Sequence, residues 1–210
     1  MITFEKNKEI DLSMKNLLLS MFEVNEYLSS ILDYNEKFLS TENEKELMHI
    51  LKKYNIPYDN LKYDSKMLTD NPYYKNIKLE NVHFGNVRYD KTTIKKRTLM
   101  SMNFHHPLGK YLFHYHPIGY FETDVDLPAL KEDDKVWMSP AVSEIESMRD
   151  GIDKGHGKCL TMGLGIGVLP YLWLLKDEVE SVTIIEFNKD IINLFDTYIR
   201  PQFKIPKKLK

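Results

Sequence analysis

Three glycines at alternate positions, Gly163, Gly165 and Gly167, constrain this chain more than any other feature. They follow a short apolar run, Lys158 to Met162, which predicts a buried strand, and they precede an apolar segment that predicts a helix. One glycine would satisfy a simple tight turn, so three indicate a backbone that turns sharply and approaches a ligand closely. A helix that starts at such a turn directs free N–H groups and its positive dipole end toward that ligand.

A second apolar run, Ser181 to Ile185, predicts another buried strand and ends in Glu186. We expect Glu186 at the same sheet edge as the glycine turn, where a carboxylate can accept two hydrogen bonds from a ribose diol. A second predicted helix then runs to Phe195. The order of strand, glycine turn, helix, strand and acid predicts a site for a nucleoside cofactor.

The spacing of the glycines decides between two kinds of nucleoside site. Dinucleotide binding requires G-x-G-x-x-G, and the third position of that motif falls on Val168. The sequence instead reads G-x-G-x-G, and over residues 157–195 it resembles the class I S-adenosylmethionine-dependent methyltransferases.

This resemblance implies a set of cofactor-binding residues: Gly163, Leu164, Gly165, Gly167, Glu186, Phe187 and Asn188. The glycine turn would accommodate the amino-acid part of S-adenosylmethionine, the acid would hold the ribose, and the two residues after it would line the adenosine. The implied reaction is direct displacement, in which an acceptor attacks the methyl carbon of the sulfonium. The sequence identifies neither the methyl acceptor nor a catalytic residue.

A departure from the family pattern suggests a particular branch. Most members have an acid two positions before the first glycine, where this chain has Thr161. The spermidine-synthase-like branch also tends to lack that acid, and it carries a small β-domain ahead of the nucleoside domain. Aminopropyl transfer is therefore the alternative reaction, although the signature of that branch has an aspartate where this chain has Ile166. A further alternative is an interaction module with a vestigial nucleotide motif.

The sequence that follows the second predicted helix is short for a methyltransferase of this class. A sheet of this class continues with several more strands, and only Asp196 to Lys210 follow Phe195. We expect none of those strands to fit, which predicts that the sequence is a fragment or that other parts replace them. The replacement would be the preceding β-region or a partner chain, a second copy of this chain included.

The predicted fold class is α+β leading into α/β, in three segments. Residues 1–75 are predicted to be helical, with one apolar stripe within 17–31 and a capping box at Thr41–Glu44 that opens a helix through Leu47, Ile50 and Leu51. Residues 76–135 are predicted as a small antiparallel sheet with an acidic, solvated linker at 124–134. Residues 136–210 are predicted to begin a Rossmann-like domain, its first helix opening at Ser139-Pro140 and ending near Arg149.

Histidines are concentrated in the predicted sheet: His83, His105, His106, His114 and His116. His114 and His116 lie two residues apart on a predicted strand, so both point to the same side, which is the spacing for two ligands of one metal ion. No carboxylate or cysteine lies at ligand spacing from them, so we predict no metal site. A general-base role for one of these histidines stays open.

Bulk properties exclude several classes of protein. The net charge of −2 gives no basic field for nucleic-acid binding, so no nucleic-acid partner is expected. No apolar run approaches the ~18 residues that cross a bilayer, and the N-terminus lacks a signal-peptide pattern. The single cysteine, Cys159, excludes an internal disulfide. We therefore predict a cytoplasmic protein that binds a small-molecule cofactor.

Overall fold

The computed structural model describes isolated positions between 8 and 26, together with residues 38–53, 61–79, 81–102, 118–204 and 208–209. Residue contacts divide the chain into two compact units, one of Met1–Tyr63 with Lys95–Thr123 and one of Asp64–Ile94 with Asp124–Lys210. The residues of the predicted apolar stripe lie outside the described residues: Leu17, Met21, Val24, Leu28 and Ile31.

The α-helices whose bounds the structure gives are, in chain order, α1 (Thr41–Lys53), α2 (Lys66–Thr69), α3 (Pro72–Asn76), α4 (Val142–Lys154), α5 (Val168–Leu174) and α6 (Lys189–Leu194). A π-helical turn (Phe195–Ile199) and a 3₁₀ turn (Arg200–Gln202) follow α6. The strands are β1 (Lys62–Tyr63), β2 (Val82–Phe84), β3 (Val87–Ile94), β4 (Met100–Ser101), β5 (Ile118–Phe121), β6 (Val125–Glu132), β7 (Lys135–Met138), β8 (Gly157–Met162), β9 (Val179–Ile185) and β10 (Lys208–Leu209). The fold is thus mixed α/β, with a small antiparallel sheet and parallel strand pairs. Within the described part of the chain, no helix has the length and apolarity needed to cross a membrane.

The first unit combines α1 with a three-stranded sheet in the order β1-β5-β4. α1 confirms the predicted helix, and its buried face is formed by Leu47, Ile50 and Leu51. The predicted capping box is displaced by one residue. The Oγ of Ser40 accepts a hydrogen bond from the backbone N–H of Asn43 (3.1 Å), so Ser40 caps the helix.

The second unit contains a four-stranded antiparallel sheet in the order β2-β3-β6-β7. The acidic segment 124–134 lies mostly in β6, so the prediction of a solvated linker there is wrong. The physical reason is an alternation that the acids conceal: Val125 and Leu127 are buried, whereas Asp126 between them is exposed. This period of two forms a strand that is half buried, and β6 pairs with β3 over eight residues.

The second unit also contains a parallel sheet in the order β10-β9-β8. β8 and β9 confirm the predicted pair of parallel strands, with Met162 opposite Ile185. After Phe195 the structure adds one strand of only two residues, β10, which pairs with β9 in parallel. The sequence did not predict this short strand, and the prediction that the several further strands of a methyltransferase sheet do not fit there stays a prediction. β8 is an edge of this sheet in the described part of the chain, and Leu160 and Met162 on it are 56% and 80% exposed.

α4 connects the antiparallel sheet to β8 and begins later than predicted. Its first residue is Val142, and Ala141 before it has an extended backbone (φ −68°, ψ 168°). The backbone N–H of Ala141 donates to the carbonyl of Ser139 (2.7 Å), so a separate tight turn precedes the helix. The helix also continues past the predicted end at Arg149 and is followed by Gly155 as its C-cap.

An apolar cluster in the second unit links the antiparallel sheet to the segment after β8, and a separate cluster packs α5 against β9. The antiparallel sheet contributes Val87 and Tyr89 from β3, and the segment between β8 and α5 contributes Leu164 and Ile166. The core also includes Leu194 of α6. The glycine turn therefore packs against side chains of the antiparallel sheet and of α6, which fixes its position within the unit.

Candidate functional site

The turn between β8 and α5 uses the left-handed backbone region at Gly163 (φ +85°), Gly165 (φ +53°) and Gly167 (φ +79°). The N–H of Gly163 donates to the carbonyl of Ile185 (2.8 Å), and that of Gly167 donates to the carbonyl of Leu164 (2.9 Å). Other residues reach the left-handed region only at a cost of about 1–2 kcal/mol. The backbone path itself therefore favours glycine at these positions.

The three glycines differ in the space around them. A Cβ atom added to Gly165 would overlap the sulfur of Met138, and one added to Gly167 would lie 2.7 Å from the ring of Phe195. A Cβ atom at Gly163 would meet nothing within 4 Å. The turn thus packs against protein at its second and third glycines and leaves open space for a ligand at the first.

Glu186 joins the end of β9 to the glycine turn. Its Oε2 accepts a hydrogen bond from the backbone N–H of Leu164 (2.8 Å). Its Oε1 accepts from the backbone N–H groups of Phe187 (2.8 Å) and Asn188 (2.9 Å). A carboxylate has about four acceptor positions. One position is therefore left for a ligand hydroxyl, not the two that the sequence suggested.

The two residues after Glu186 are arranged differently from each other. The Phe187 side chain is 99% exposed, which leaves a free aromatic face beside the carboxylate. The Asn188 side chain accepts a hydrogen bond from the backbone N–H of Asp190 (2.9 Å) and so caps α6. Of these two residues, Phe187 has the side chain available to stack on a flat ligand.

Two buried tyrosines hold the glycine turn from the core side, and sequence reasoning missed both. The hydroxyl of Tyr73 in α3 donates to the carbonyl of Ile166, and that of Tyr89 in β3 donates to the carbonyl of Gly165 (3.2 Å). Both tyrosines are fully buried. The inward position of Tyr89 on an alternating strand could have signalled its burial, but not its partner.

We expect these two tyrosines to make the folded protein less stable in alkali. Burial raises the pKa of Tyr89 above its ordinary value, and the Glu186 carboxylate raises it further. The pKa of Tyr73 is also raised, chiefly by burial. A raised pKa in the folded state means that the stabilisation is complete below the unfolded pKa, about 10, and is lost as the pH rises through the folded pKa. We expect each tyrosine to lower the free energy of unfolding by about 1.4 kcal/mol per pH unit above pH ~10.

Urea unfolding of the wild type and of Tyr89→Phe, followed by tryptophan fluorescence at several pH values above 9, measures this effect. The variant lacks one ionising group, so its free energy of unfolding should decline less steeply with pH, by about 1.4 kcal/mol per pH unit. Equal slopes in the two proteins would contradict the assignment of Tyr89.

A cavity of about 300 Å³ opens beside the glycine turn. Its described lining comes from β7, α4, β8, the turn and α5: Met138, Glu144, Met148, Thr161, Met162, Gly163, Leu164, Gly165, Leu169 and Pro170. This volume is at the lower end of those of small-molecule sites. Of the predicted cofactor residues, Gly163, Leu164 and Gly165 belong to the described lining of the cavity, whereas Gly167, Glu186, Phe187 and Asn188 lie outside it.

A second cavity of about 450 Å³ lies in the same unit, against α2 and α4. Two of the four charged side chains in its described lining form ion pairs. Asp70 forms an ion pair with Lys75 (2.9 Å), and Arg149 forms one with Glu146. None of the predicted cofactor residues is among its described lining residues. The smaller cavity at the glycine turn is therefore the candidate site.

The predicted histidine cluster lies mostly outside the part of the chain that the structure describes. His105, His106, His114 and His116 lie outside the described residues. In the part of the chain that the structure covers, no three His, Cys, Asp or Glu side chains are grouped so that they could hold a metal ion. The predictions about metal binding and about a histidine base stay predictions.

No protein-family model, curated protein or solved structure matches this chain. What can be stated of its class is the mixed α/β fold with a glycine turn and an acid at adjacent parallel strand ends. Any function must therefore be argued from the contacts within this site.

Proposed function

We propose that this chain binds S-adenosylmethionine at the glycine turn and is a class I methyltransferase-like protein with a Rossmann-like arrangement of its parallel strands. One observation carries the proposal: the Glu186 carboxylate at the end of β9 is hydrogen-bonded to the glycine turn that follows β8. Open α/β sheets bind their ligands at the carboxyl ends of parallel strands, where this pair of features lies. The strand order β10-β9-β8, in which successive strands add to one side, supports the same arrangement.

Each part of the cofactor has a complementary group. The remaining acceptor position of Glu186 suits a ribose hydroxyl, because a charged acceptor forms a strong hydrogen bond. The exposed ring of Phe187 suits stacking of the adenine. The cavity beside Gly163, where no protein atom fills the space of a side chain, suits the amino-acid end and the sulfonium.

The chemistry that this assignment implies needs few protein groups. A lone pair of the acceptor attacks the methyl carbon of the sulfonium, the carbon–sulfur bond breaks, and its electrons stay on sulfur as a neutral thioether. The protein contributes mainly by holding the methyl group in line with the acceptor. The rigidity that the buried tyrosines and Glu186 give to the turn serves that positioning.

Isothermal titration of the 210-residue chain with S-adenosylhomocysteine tests the proposal. We expect one site with a dissociation constant within about 1 µM to 1 mM, the range usual for enzyme ligands. NAD serves as the control, because the glycine spacing does not fit a dinucleotide. Absence of heat with S-adenosylhomocysteine at millimolar concentration, or tighter binding of NAD, would refute the assignment.

A further inference from the structure

The cavity at the glycine turn has an unusual lining. Three thioethers, those of Met138, Met148 and Met162, form part of its wall and give it an apolar, polarisable surface. Among the described lining residues, Glu144 is the only one with an ionisable side chain. The cavity therefore presents a single negative charge to any ligand that enters it.

Glu144 differs from the other acids of α4. Glu146 pairs with Arg149, and Asp150 pairs with Lys154 (3.0 Å). Glu144 is partly buried. Among the described residues, none donates a hydrogen bond to its carboxylate or forms an ion pair with it. A partly buried carboxylate is more stable with a cationic partner, because its hydration is incomplete. The cavity thus favours a ligand that brings a positive charge.

We propose that Glu144 binds the ammonium group at the amino-acid end of the cofactor, an inference that rests on the proposed function. The ammonium carries three N–H donors and a full charge, so its hydrogen bond to a carboxylate is charge-assisted and strong. Thr161, also in the lining, cannot supply a negative charge. Glu144 is then the residue that recognises the tail of the ligand, while Glu186 and Phe187 recognise its nucleoside.

A purely structural role for Glu144 predicts a different effect of neutralising it. The residue lies in the first turn of α4, where a carboxylate interacts favourably with the helix dipole. If that were its whole function, neutralising it would lower thermal stability without changing which ligands the protein prefers. Discrimination between ligands with and without an ammonium group therefore separates the two roles.

The test is isothermal titration of wild type, Glu144→Gln and Asp150→Asn with three thioether nucleosides. S-adenosylhomocysteine carries ammonium and carboxylate, its decarboxylated analogue carries ammonium alone, and 5′-methylthioadenosine carries neither. We expect Glu144→Gln to weaken the first two ligands by about tenfold or more and the third by less than about twofold. Asp150→Asn, a matched neutralisation on the same helix outside the cavity lining, should change none of them.

The other outcomes decide against the inference. If Glu144→Gln weakens all three ligands equally, or none of them, Glu144 does not read the ammonium, and the proposed function still stands on nucleoside binding. If the wild type binds 5′-methylthioadenosine as tightly as its decarboxylated relative, the ammonium adds nothing and the inference is again overturned. If the wild type binds none of the three, the proposed function and this inference fail together.

Discussion

Replacement of Tyr73 by alanine is expected to lower the free energy of unfolding of the second unit by about 3–5 kcal/mol, the usual cost of removing a buried aromatic ring. The ring is fully buried and packs edge-on against Tyr171 at a centroid distance of 5.6 Å. Its hydroxyl also donates to the carbonyl of Ile166 in the glycine turn. Since domains are stable by only about 5–15 kcal/mol, this loss is a large fraction of the total.

A second variant separates the ring from the hydroxyl. Tyr73→Phe keeps the packing but leaves the buried carbonyl of Ile166 without this donor, so we expect a loss of about 1–3 kcal/mol. Tyr74→Phe is the matched control, because its hydroxyl donates to the carbonyl of Asp126 in an exposed position. We expect that control to change stability by no more than about 0.5 kcal/mol.

Urea unfolding monitored by tryptophan fluorescence suits this comparison. Both tryptophans, Trp137 and Trp173, belong to the second unit, and Trp173 is buried. If Tyr73→Phe were as stable as the wild type, or if Tyr74→Phe were equally destabilised, the tyrosine would not support the turn in the way its contacts indicate.

Sequence reasoning found the features that depend on neighbouring residues. The alternate glycines, the apolar strands beside them and the acid after β9 are all local patterns, and the structure has β8, the turn and β9 where these patterns predicted them. A positive φ excludes most side chains, so glycines in such a turn are visible in sequence. The binding role of these residues stays a prediction.

The hydrogen bonds that hold the glycine turn from the core could not be predicted from local patterns, because they join residues that are far apart in the sequence. Tyr73 and Ile166 are 93 positions apart, and Tyr89 and Gly165 are 76 positions apart. No periodicity links residues at such separations. β10 escaped prediction for a different reason, since two residues are too few to show any alternation. In β6, the exposed Asp126 between two buried residues, together with the acids that flank the strand, concealed the alternation.

Neutralising Glu186 is expected to have the second large effect, on both stability and ligand binding. The carboxylate accepts three backbone hydrogen bonds, and the one from Leu164 ties the glycine turn to the end of β9. In Glu186→Gln one oxygen becomes an NH₂ group, which cannot accept and faces an N–H donor. Hydrogen bonds to charged groups contribute about 1.5–3 kcal/mol each, so we expect a loss of at least that size.

The binding consequence of Glu186→Gln distinguishes a structural acid from one that also contacts the ligand. Glu180→Gln, an exposed neutralisation on the same strand, is the control and should behave like the wild type. Under the proposed function, Glu186→Gln should lose measurable affinity for S-adenosylhomocysteine and for 5′-methylthioadenosine alike, because both carry the ribose. Titration at a temperature where circular dichroism shows the variant folded measures this directly. If the folded variant binds both ligands as tightly as the wild type, Glu186 stabilises the turn without contacting the ligand, and other residues bind the ribose.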